Sequence, residues 1–491
     1  MCKHSYVTTS IPYVNARPHI GHVLELVQAD AIARYRRLIA ENVRFQTGTD
    51  ENAFKNVQAA QEQGISTQQL VDRNSAVFRA LCRKLEISHD SFIRTTEERH
   101  LQGVHAFWRR LSEGDIYKKN YAGLYCLACE DFYLEKDLVD GLCPEHGSPL
   151  SKVNETNYFF RLSKYQNTLE RLVASDALEV LPGTRKNEVL SFIRNGLQDI
   201  SVSRPAERCG GWGIPVPGDP SQVIYVWTDA LINYLSGLGF GGEHFQKEFW
   251  GPRCEEVHVI GKNVWKFHAV YWPAFLLSAG LPLPKTVLVH GFLTCEGRKV
   301  GKSLGNAIDG LSTVEELGRP AIRYYLLRAA SPFQDSDFSR IRVEELYDTD
   351  LANGLGNLVS RVCALCEKAR FHPHAHGEAH EAPGGFHSAM KAYRFDDALQ
   401  SLWQVVGQTN ADIARVEPWK TVRESRSNTL QAHLSRWVEN LRCVAFWLEP
   451  FLPVSSAKIL RALSGDAWIK DQHVFPRKNR GRLRAGAKRQ I

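Results

Sequence analysis

No run of apolar residues in this chain reaches the length of a bilayer span. The longest, residues 269–280, is broken by Pro273 and falls well short of the roughly 20 residues that a membrane helix needs. A membrane protein is therefore not expected. Residues 1–4 run directly into the strand-like segment 5–10, with neither an apolar signal core nor an Arg/Ser-rich amphipathic leader, so the expected compartment is the cytoplasm. Internal repeats and heptads are absent too. The eleven cysteines are an odd number with one tight cluster, which argues against a disulfide framework and for reduced thiols that are buried or ligate metal. Acid is missing from residues 476–491, where Arg477, Lys478, Arg480, Arg482, Arg484, Lys488 and Arg489 account for the whole net charge of +7. A polyanion-seeking tail and a solubilising end both fit that pattern, so global charge does not identify a partner.

What is present is ordinary for a globular protein: 491 residues, 43% hydrophobic and 23% charged. That length predicts two to four domains with at least one large core, and the composition excludes wholesale disorder or a fibre. The first hundred residues alternate strand and helix signals. A β-rich segment, 7–13, precedes a helix in which Val23, Leu26, Val27, Asp30, Ala31, Tyr35 and Leu38 recur at spacings of three and four, and residues 42–48 resemble a second strand. This is the opening of a parallel α/β sheet. Residues 117–224 are turn-rich and hold the cysteine cluster, after which β-like text returns at 223–227 and 257–260. An insertion splitting one α/β domain explains the order. From residue 348, Leu351, Leu355, Leu358, Val362 and Leu365 recur at helical spacing, which predicts an all-α bundle broken at 371–385.

Pro18-His19-Ile20-Gly21-His22 stands where the first strand gives way to the first helix. Free backbone N–H groups and the helix dipole make such a point a phosphate site, Gly21 allows close approach, and two imidazoles can donate to phosphate oxygens. A structural turn is the alternative. Gly297-Arg298-Lys299-Val300-Gly301-Lys302-Ser303 resembles a P-loop but has Glu296 where that motif needs glycine. Its lysines suit a loop that brings positive charge onto a phosphate, or else an exposed basic turn. Cys126-x-x-Cys129 with Cys143-x-x-His146 pairs ligands as a structural zinc site does, filling all four positions with protein. Cys363-x-x-Cys366, with His372, His374, His376 and His380 following, has metal ligation as an alternative, but these cysteines follow the apolar helix pattern and are expected in the core.

Together, the two phosphate-binding candidates resemble the paired His-Ile-Gly-His and Lys-Met-Ser-Lys-Ser signatures of class I aminoacyl-tRNA synthetases. Ile11-Pro12-Tyr13-Val14-Asn15, Thr47-Gly48-Thr49-Asp50-Glu51, Tyr225-Val226-Trp227-Thr228-Asp229-Ala230 and residues 260–268 resemble the methionyl-tRNA synthetase family in particular. The resemblance covers all but the tail. It implies a Rossmann-like parallel-sheet catalytic domain in two halves, 1–116 and 225–347, the second holding the Lys-x-x-Lys-Ser loop and a stem-contact region. A connective insertion with a zinc knuckle, 117–224, would split them, and an α-helical anticodon-binding domain, 348–475, and the basic tail would follow. The implied activity is ATP-dependent ligation of L-methionine to tRNA(Met) through methionyl-adenylate, with Mg2+ accompanying ATP and a structural Zn2+ on Cys126, Cys129, Cys143 and His146. A monomer is expected.

By the same resemblance, His19, His22, Lys299 and Lys302 are catalytic, and ATP also meets Gly21, Gly261 and Ser303. Methionine would be held by Ile11, Tyr13, Trp227, Ala230, Tyr234, Val264, Phe267 and His268, with Asp50 on its ammonium and Arg204 close by. Aromatic faces and small aliphatics favour a polarisable thioether. Asn357, Arg361 and Trp419 match the anticodon-reading elements, where an unstacked base lies on an aromatic ring. The family usually continues Asp-Glu with His-Gly, whereas this chain has Asn52-Ala53. Val300 and Gly301 replace Met and Ser, and the segment 205–211 after Arg204 is longer than expected. A divergent paralogue serving another acceptor or amino acid, or a non-catalytic tRNA-binding protein, remains open at this point. Valyl, isoleucyl and leucyl enzymes are disfavoured, because the chain has no room for their editing insertion.

Overall fold

The computed structural model describes residues 3–126, 131–133, 135, 138–144, 147–295, 298–299, 308–372, 380–420, 428–464 and 474–477. β-branched and aromatic residues open the chain as strand β1 (His4–Thr9), buried from Ser5 onward. That is the pattern of a parallel strand covered on both faces. The strand stops at Thr9, so residues 10–13, expected to continue it, form the loop that carries Ile11 and Tyr13. Helix α1 (Ile20–Leu38) follows, burying Val23, Leu26, Val27, Ala31 and Tyr35 along the predicted stripe.

Strands β2 (Asn42–Thr49), β3 (Ser91–Arg94), β4 (Glu179–Leu181), β5 (Cys254–Gly261) and β6 (Thr286–His290) complete a six-stranded sheet in the order β3-β2-β1-β5-β6-β4. All its pairings are parallel, which makes this the expected Rossmann-like core. The strand order turns back at β1, where Val7 pairs with Val257 of β5. In open α/β sheets ligands bind beyond the carboxyl ends of the strands at such a point. Here those ends are Thr9 and Gly261.

The segment expected as an insertion is divided in the fold. Ile116–Cys126 and Ser151–Phe160 form a long antiparallel hairpin, flanked by Asp131–Tyr133 and Ile200–Ser201. Between these pieces, Glu179–Leu181 returns to the central sheet and pairs with Thr286–Leu288. The helices Gln166–Ala174 and Gly183–Arg194 beside it bury Leu169, Val173, Val189 and Ile193 in the same core. Residues 225–227, expected as strand, open a helix (Val226–Leu231) instead, because the strand Asp219–Ile224 ends where the Thr228 and Asp229 amides bond the Tyr225 carbonyl.

The chain forms two compact units: residues 1–292 with 299–311, and residues 293–298 with 312–491. The second is dominated by helices, among them Arg319–Arg328, Asn357–Lys368, Phe395–Val416, Asn428–Leu448 and Pro453–Ala462. Buried Arg323 ties it together by donating to the carbonyls of Phe451 (2.7 Å) and Pro450 (3.0 Å). Cys363 and Cys366 lie buried on the apolar face of their helix. Among the described residues, no helix is long and apolar enough to cross a membrane.

Candidate active site

His19 is the N-cap of α1. Its Nδ1 accepts the Gly21 N–H (3.1 Å), and His22 Nδ1 accepts the His19 N–H (3.1 Å). Each ring therefore has its outer proton on Nε2. The rings stack 3.8 Å apart at 26°. Burial, His19 and His290 push His22 well below its ordinary value, so it is a neutral N–H donor at pH 7. Gly21 leaves room for the His19 ring where it lies: a Cβ there would be 2.9 Å from His19 Cε1, and the ring would have to move. The backbone N–H groups expected to be free are taken: Ile20 bonds the Ile308 carbonyl, Gly21 bonds His19 Nδ1 and His22 bonds the His19 carbonyl (3.0 Å), so what this helix N-terminus can offer an anion is its dipole and the two imidazole Nε2–H groups.

The segment beyond the second signature is sewn to this point. The Ile20 amide bonds the Ile308 carbonyl (3.0 Å), the Gly310 amide bonds the Pro18 carbonyl (2.8 Å), and Arg17 pairs with Asp309 (2.8 Å). At the other end of the excursion, His290 Nε2 meets Glu25 of α1 at 3.0 Å, and Ser10 donates to the same carboxylate at 2.6 Å. Lys299 ends the short strand Arg298–Lys299. Lys302 and Ser303 lie outside the described residues.

The candidate methionine residues gather beside the carboxyl ends of β1 and β5. Trp227 stacks on Phe267 with centroids 3.9 Å apart at 7°, and Tyr13 meets Trp227 at 5.8 Å. Such pairs are worth about 0.5–1.5 kcal/mol beyond area burial. Val264 and Tyr234 are buried in the same core as Phe267, Ala230 is buried, and Ile11 is half-buried. His268 Nδ1 donates to the Val264 carbonyl (3.0 Å), which leaves Nε2 to accept from the Tyr234 hydroxyl (2.7 Å). Burial pushes His268 down to about 4 and Tyr234 upward. The pair is neutral at pH 7, which suits an uncharged ligand group. Gly261 starts the turn that delivers Val264, whose amide bonds its carbonyl.

Asp50 is buried just past the end of β2. Its amide bonds the Pro12 carbonyl (2.9 Å), and the residue bridges to Tyr13. Arg204 lies one layer away. It donates to the Ser203 carbonyl (2.8 Å) and Ser201 Oγ (2.9 Å), and lies over the Tyr225 ring at 4.2 Å. Tyr225 in turn packs with Ala53, Tyr13 and Trp227.

Three residues that sequence reasoning passed over also belong here. Asp229, between Trp227 and Ala230, is fully buried, and burial raises its pKa. Its Oδ1 lies 3.8 Å from His100 Nε2, and the other ring nitrogen of His100 meets Ser236 Oγ at 2.7 Å. His258 underlies Tyr234 with centroids 4.1 Å apart. Asp229 stood inside a quoted motif, and only its position two residues after Trp227 signalled it.

Of the candidate zinc ligands, Cys126 and Cys143 are buried and both touch Ser148: Cys126 Sγ is 3.5 Å from its hydroxyl, and the Cys143 amide bonds its carbonyl at 2.9 Å. Cys129 and His146 lie outside the described residues. In the helical unit, Asn357 is exposed at a helix start, half-buried Arg361 on the same helix donates to Asn410 Oδ1, and Trp419 is 52% exposed.

A family profile described as tRNA synthetases class I (M) matches residues 5–152 and 147–363. The methionine–tRNA ligase of Thermotoga maritima is 38% identical over 98% of this chain and 78% of its own length. That of Brucella suis is 41% identical over 94% of this chain and 91% of its own. The solved Mycobacterium tuberculosis methionyl-tRNA synthetase in complex with methionyl-adenylate superposes with a TM-score of 0.87, at 39% identity, over 97% of this chain and all of that one. With the histidine-capped helix and the aromatic pocket at the sheet's switch point, these likenesses make the chain a member of the methionyl-tRNA synthetase family.

Proposed function

We propose that this chain activates L-methionine with ATP in the crevice between β1 and β5 and transfers it to tRNA(Met). The methionine carboxylate attacks the α-phosphorus, pyrophosphate leaves, and methionyl-adenylate forms. A hydroxyl of the terminal tRNA ribose then attacks the acyl carbon, and AMP departs. The observation that carries this reading is the fixed pair of Nε2–H donors on His19 and His22 beside a neutral pocket shaped by Trp227, Phe267, Tyr234 and His268.

His19 and His22 donate to phosphate oxygens as negative charge shifts onto the leaving pyrophosphate. Lys299 and Lys302 add positive charge there, and Gly21, Gly261 and Ser303 line the nucleotide. Positioning and charge stabilisation supply most of such catalysis, so no protein nucleophile is needed. Asp50 pairs with the substrate ammonium. Ile11, Tyr13, Ala230 and Val264 complete the side-chain pocket, and Arg204 supports it through Tyr225. Mg2+ bound to ATP would offset phosphate charge beside these residues. Cys126, Cys129, Cys143 and His146 would hold a structural zinc ion. The burial of Cys126 and Cys143 against one serine, one cysteine from each sequence pair, supports that set. Asn357, Arg361 and Trp419 read the anticodon loop, and one copy of the chain carries every residue named.

Pyrophosphate exchange measured with each of the twenty amino acids, followed by charging of tRNA(Met), tests this reading. Exchange with methionine alone and charging of tRNA(Met) are expected. Exchange driven by another amino acid, or adenylate formation without charging, would overturn it.

A further inference from the structure

Two stretches distant in sequence, residues 50–57 and 205–212, meet in space. The Asn52 side chain makes two bonds across the site. Nδ2 donates to the Thr95 carbonyl (3.2 Å) and to Asp229 Oδ2 (3.2 Å), while its amide donates to Asp50 Oδ1 (3.2 Å). The longer turn after Arg204 ends at Trp212, whose indole N–H donates to the Glu51 carbonyl (2.8 Å). Gly210 of that turn lies against Val57, so a Cβ there would sit 3.4 Å from its methyl. The Asp50–Glu51 turn is therefore held from two directions by groups distant in sequence.

We propose that Asn52 is a positioning residue for methionine: by joining the Asp50 turn to Asp229, it sets the spacing between the carboxylate that meets the substrate ammonium and the helix that presents Trp227 and Ala230. This rests on the assignment of Asp50 and Trp227 to the amino-acid site. Asp229 is well suited to the other end of the link. It is fully buried, it belongs to the helix Val226–Leu231, and among the described residues Asn52 is the hydrogen-bond donor that reaches it, its Oδ1 lying 3.8 Å from the His100 ring. A carboxylate in that position holds a donor strongly, because water cannot replace the bond. Ala53, the next residue, buries its methyl against Tyr225 and Val226 with Tyr13 and Trp227 beside them. The residue pair thus fixes both the polar and the aromatic side of one wall.

The test is pyrophosphate exchange with purified full-length chain, recording KM for methionine, KM for ATP and kcat separately. Asn52→Leu keeps the branched shape and removes both side-chain bonds. It is expected to raise the methionine KM about tenfold, as the loss of a hydrogen bond to a charged group implies, with the ATP KM within about twofold of the parent. Asn52→His restores a ring N–H and should recover most of the loss. Trp212→Phe, which removes the indole N–H and shortens the aromatic side chain, should raise the methionine KM by a smaller factor, and the double variant should lose more than the product of the two. If Asn52→Leu fails to fold, Asn52→Ala gives the same comparison. A methionine KM unchanged in the Asn52 variants while Asp50→Asn raises it would overturn the proposal. So would an equal rise in the KM for ATP. An Asp50→Asn variant with unaltered methionine KM would instead remove the site assignment beneath it.

Discussion

Gly21→Ala separates aim from stability. The backbone at Gly21 is helical, so alanine meets no conformational penalty, but its Cβ would lie 2.9 Å from Cε1 and 3.0 Å from Nδ1 of His19. The ring is the free end of a flexible side chain and can swing away. Doing so breaks the 3.1 Å bond from the Gly21 amide and the 3.8 Å stack on His22. Losing that cap costs about 1 kcal/mol, and replacing glycine by alanine in a helix returns up to about 1 kcal/mol. The melting temperature should therefore move by no more than about 2–4 °C, the shift that 1 kcal/mol produces in a chain of 150–250 residues. The rate should not be spared. One misdirected donor costs about 3–4 kcal/mol of transition-state stabilisation, or roughly a hundredfold to a thousandfold. Pre-steady-state adenylate formation measures this directly, and His19→Asn should add little further loss when combined with Gly21→Ala, because both remove the same donor. Adenylate formation within about threefold of the parent would refute the reasoning, since the folded-back ring would then be dispensable.

Trp419→Ala should lower tRNA charging about tenfold to a hundredfold, as the loss of one base-stacking platform implies, and leave pyrophosphate exchange unchanged; equal damage to both reactions would place the residue wrongly. Protein purified without chelator should contain one zinc per chain, and chelation should raise proteolysis within residues 117–160, because a closed four-ligand site contributes directly to local folding. Metal analysis without zinc, with the cysteines reduced, would contradict this. Burial pushes the Glu256 carboxyl from 4.5 up to about 7, so between those pH values the folded chain holds a proton that the unfolded chain has released. This group therefore makes stability fall as pH rises through the window. Glu256→Gln should flatten that slope and leave the variant more stable above pH 7 by up to about 3 kcal/mol, which urea unfolding at pH 5 and pH 8 will show.

The recurrence of Val23, Leu26, Val27 and Tyr35 made α1 legible, and the change from strand to helix around His19 located the anion site, because both are local patterns. Glu179–Leu181 was not legible. Three residues between two helices carry no periodicity, and their strand exists only because Thr286–Leu288 offers an unpaired edge. Residues 225–227 read as strand from their aromatic and β-branched content, yet the backbone turns there. Of the pocket, Trp227, Phe267, Tyr234 and His268 came from family resemblance, and the structure adds how they touch. The Asn52–Asp229 bond spans 177 residues, and no short window of sequence could reveal it. Arg204 illustrates the same limit: its name and place were legible, but its stacking on Tyr225 was not.

The strand order also sets a timetable for synthesis. β1 lies at the centre of the sheet, yet Thr8 bonds His258, 250 residues further along the chain. During translation β1, β2 and β3 can pair early, and the far side of β1 then waits as an open edge until more than half of the chain has emerged. A parallel pairing of such long separation forms slowly, and an unpaired apolar edge invites association with other chains. Cellular yield of this enzyme should accordingly respond to translation rate and to chaperones that shield nascent strands, and a substitution in β5 should lower soluble protein more than an equally buried one in α1.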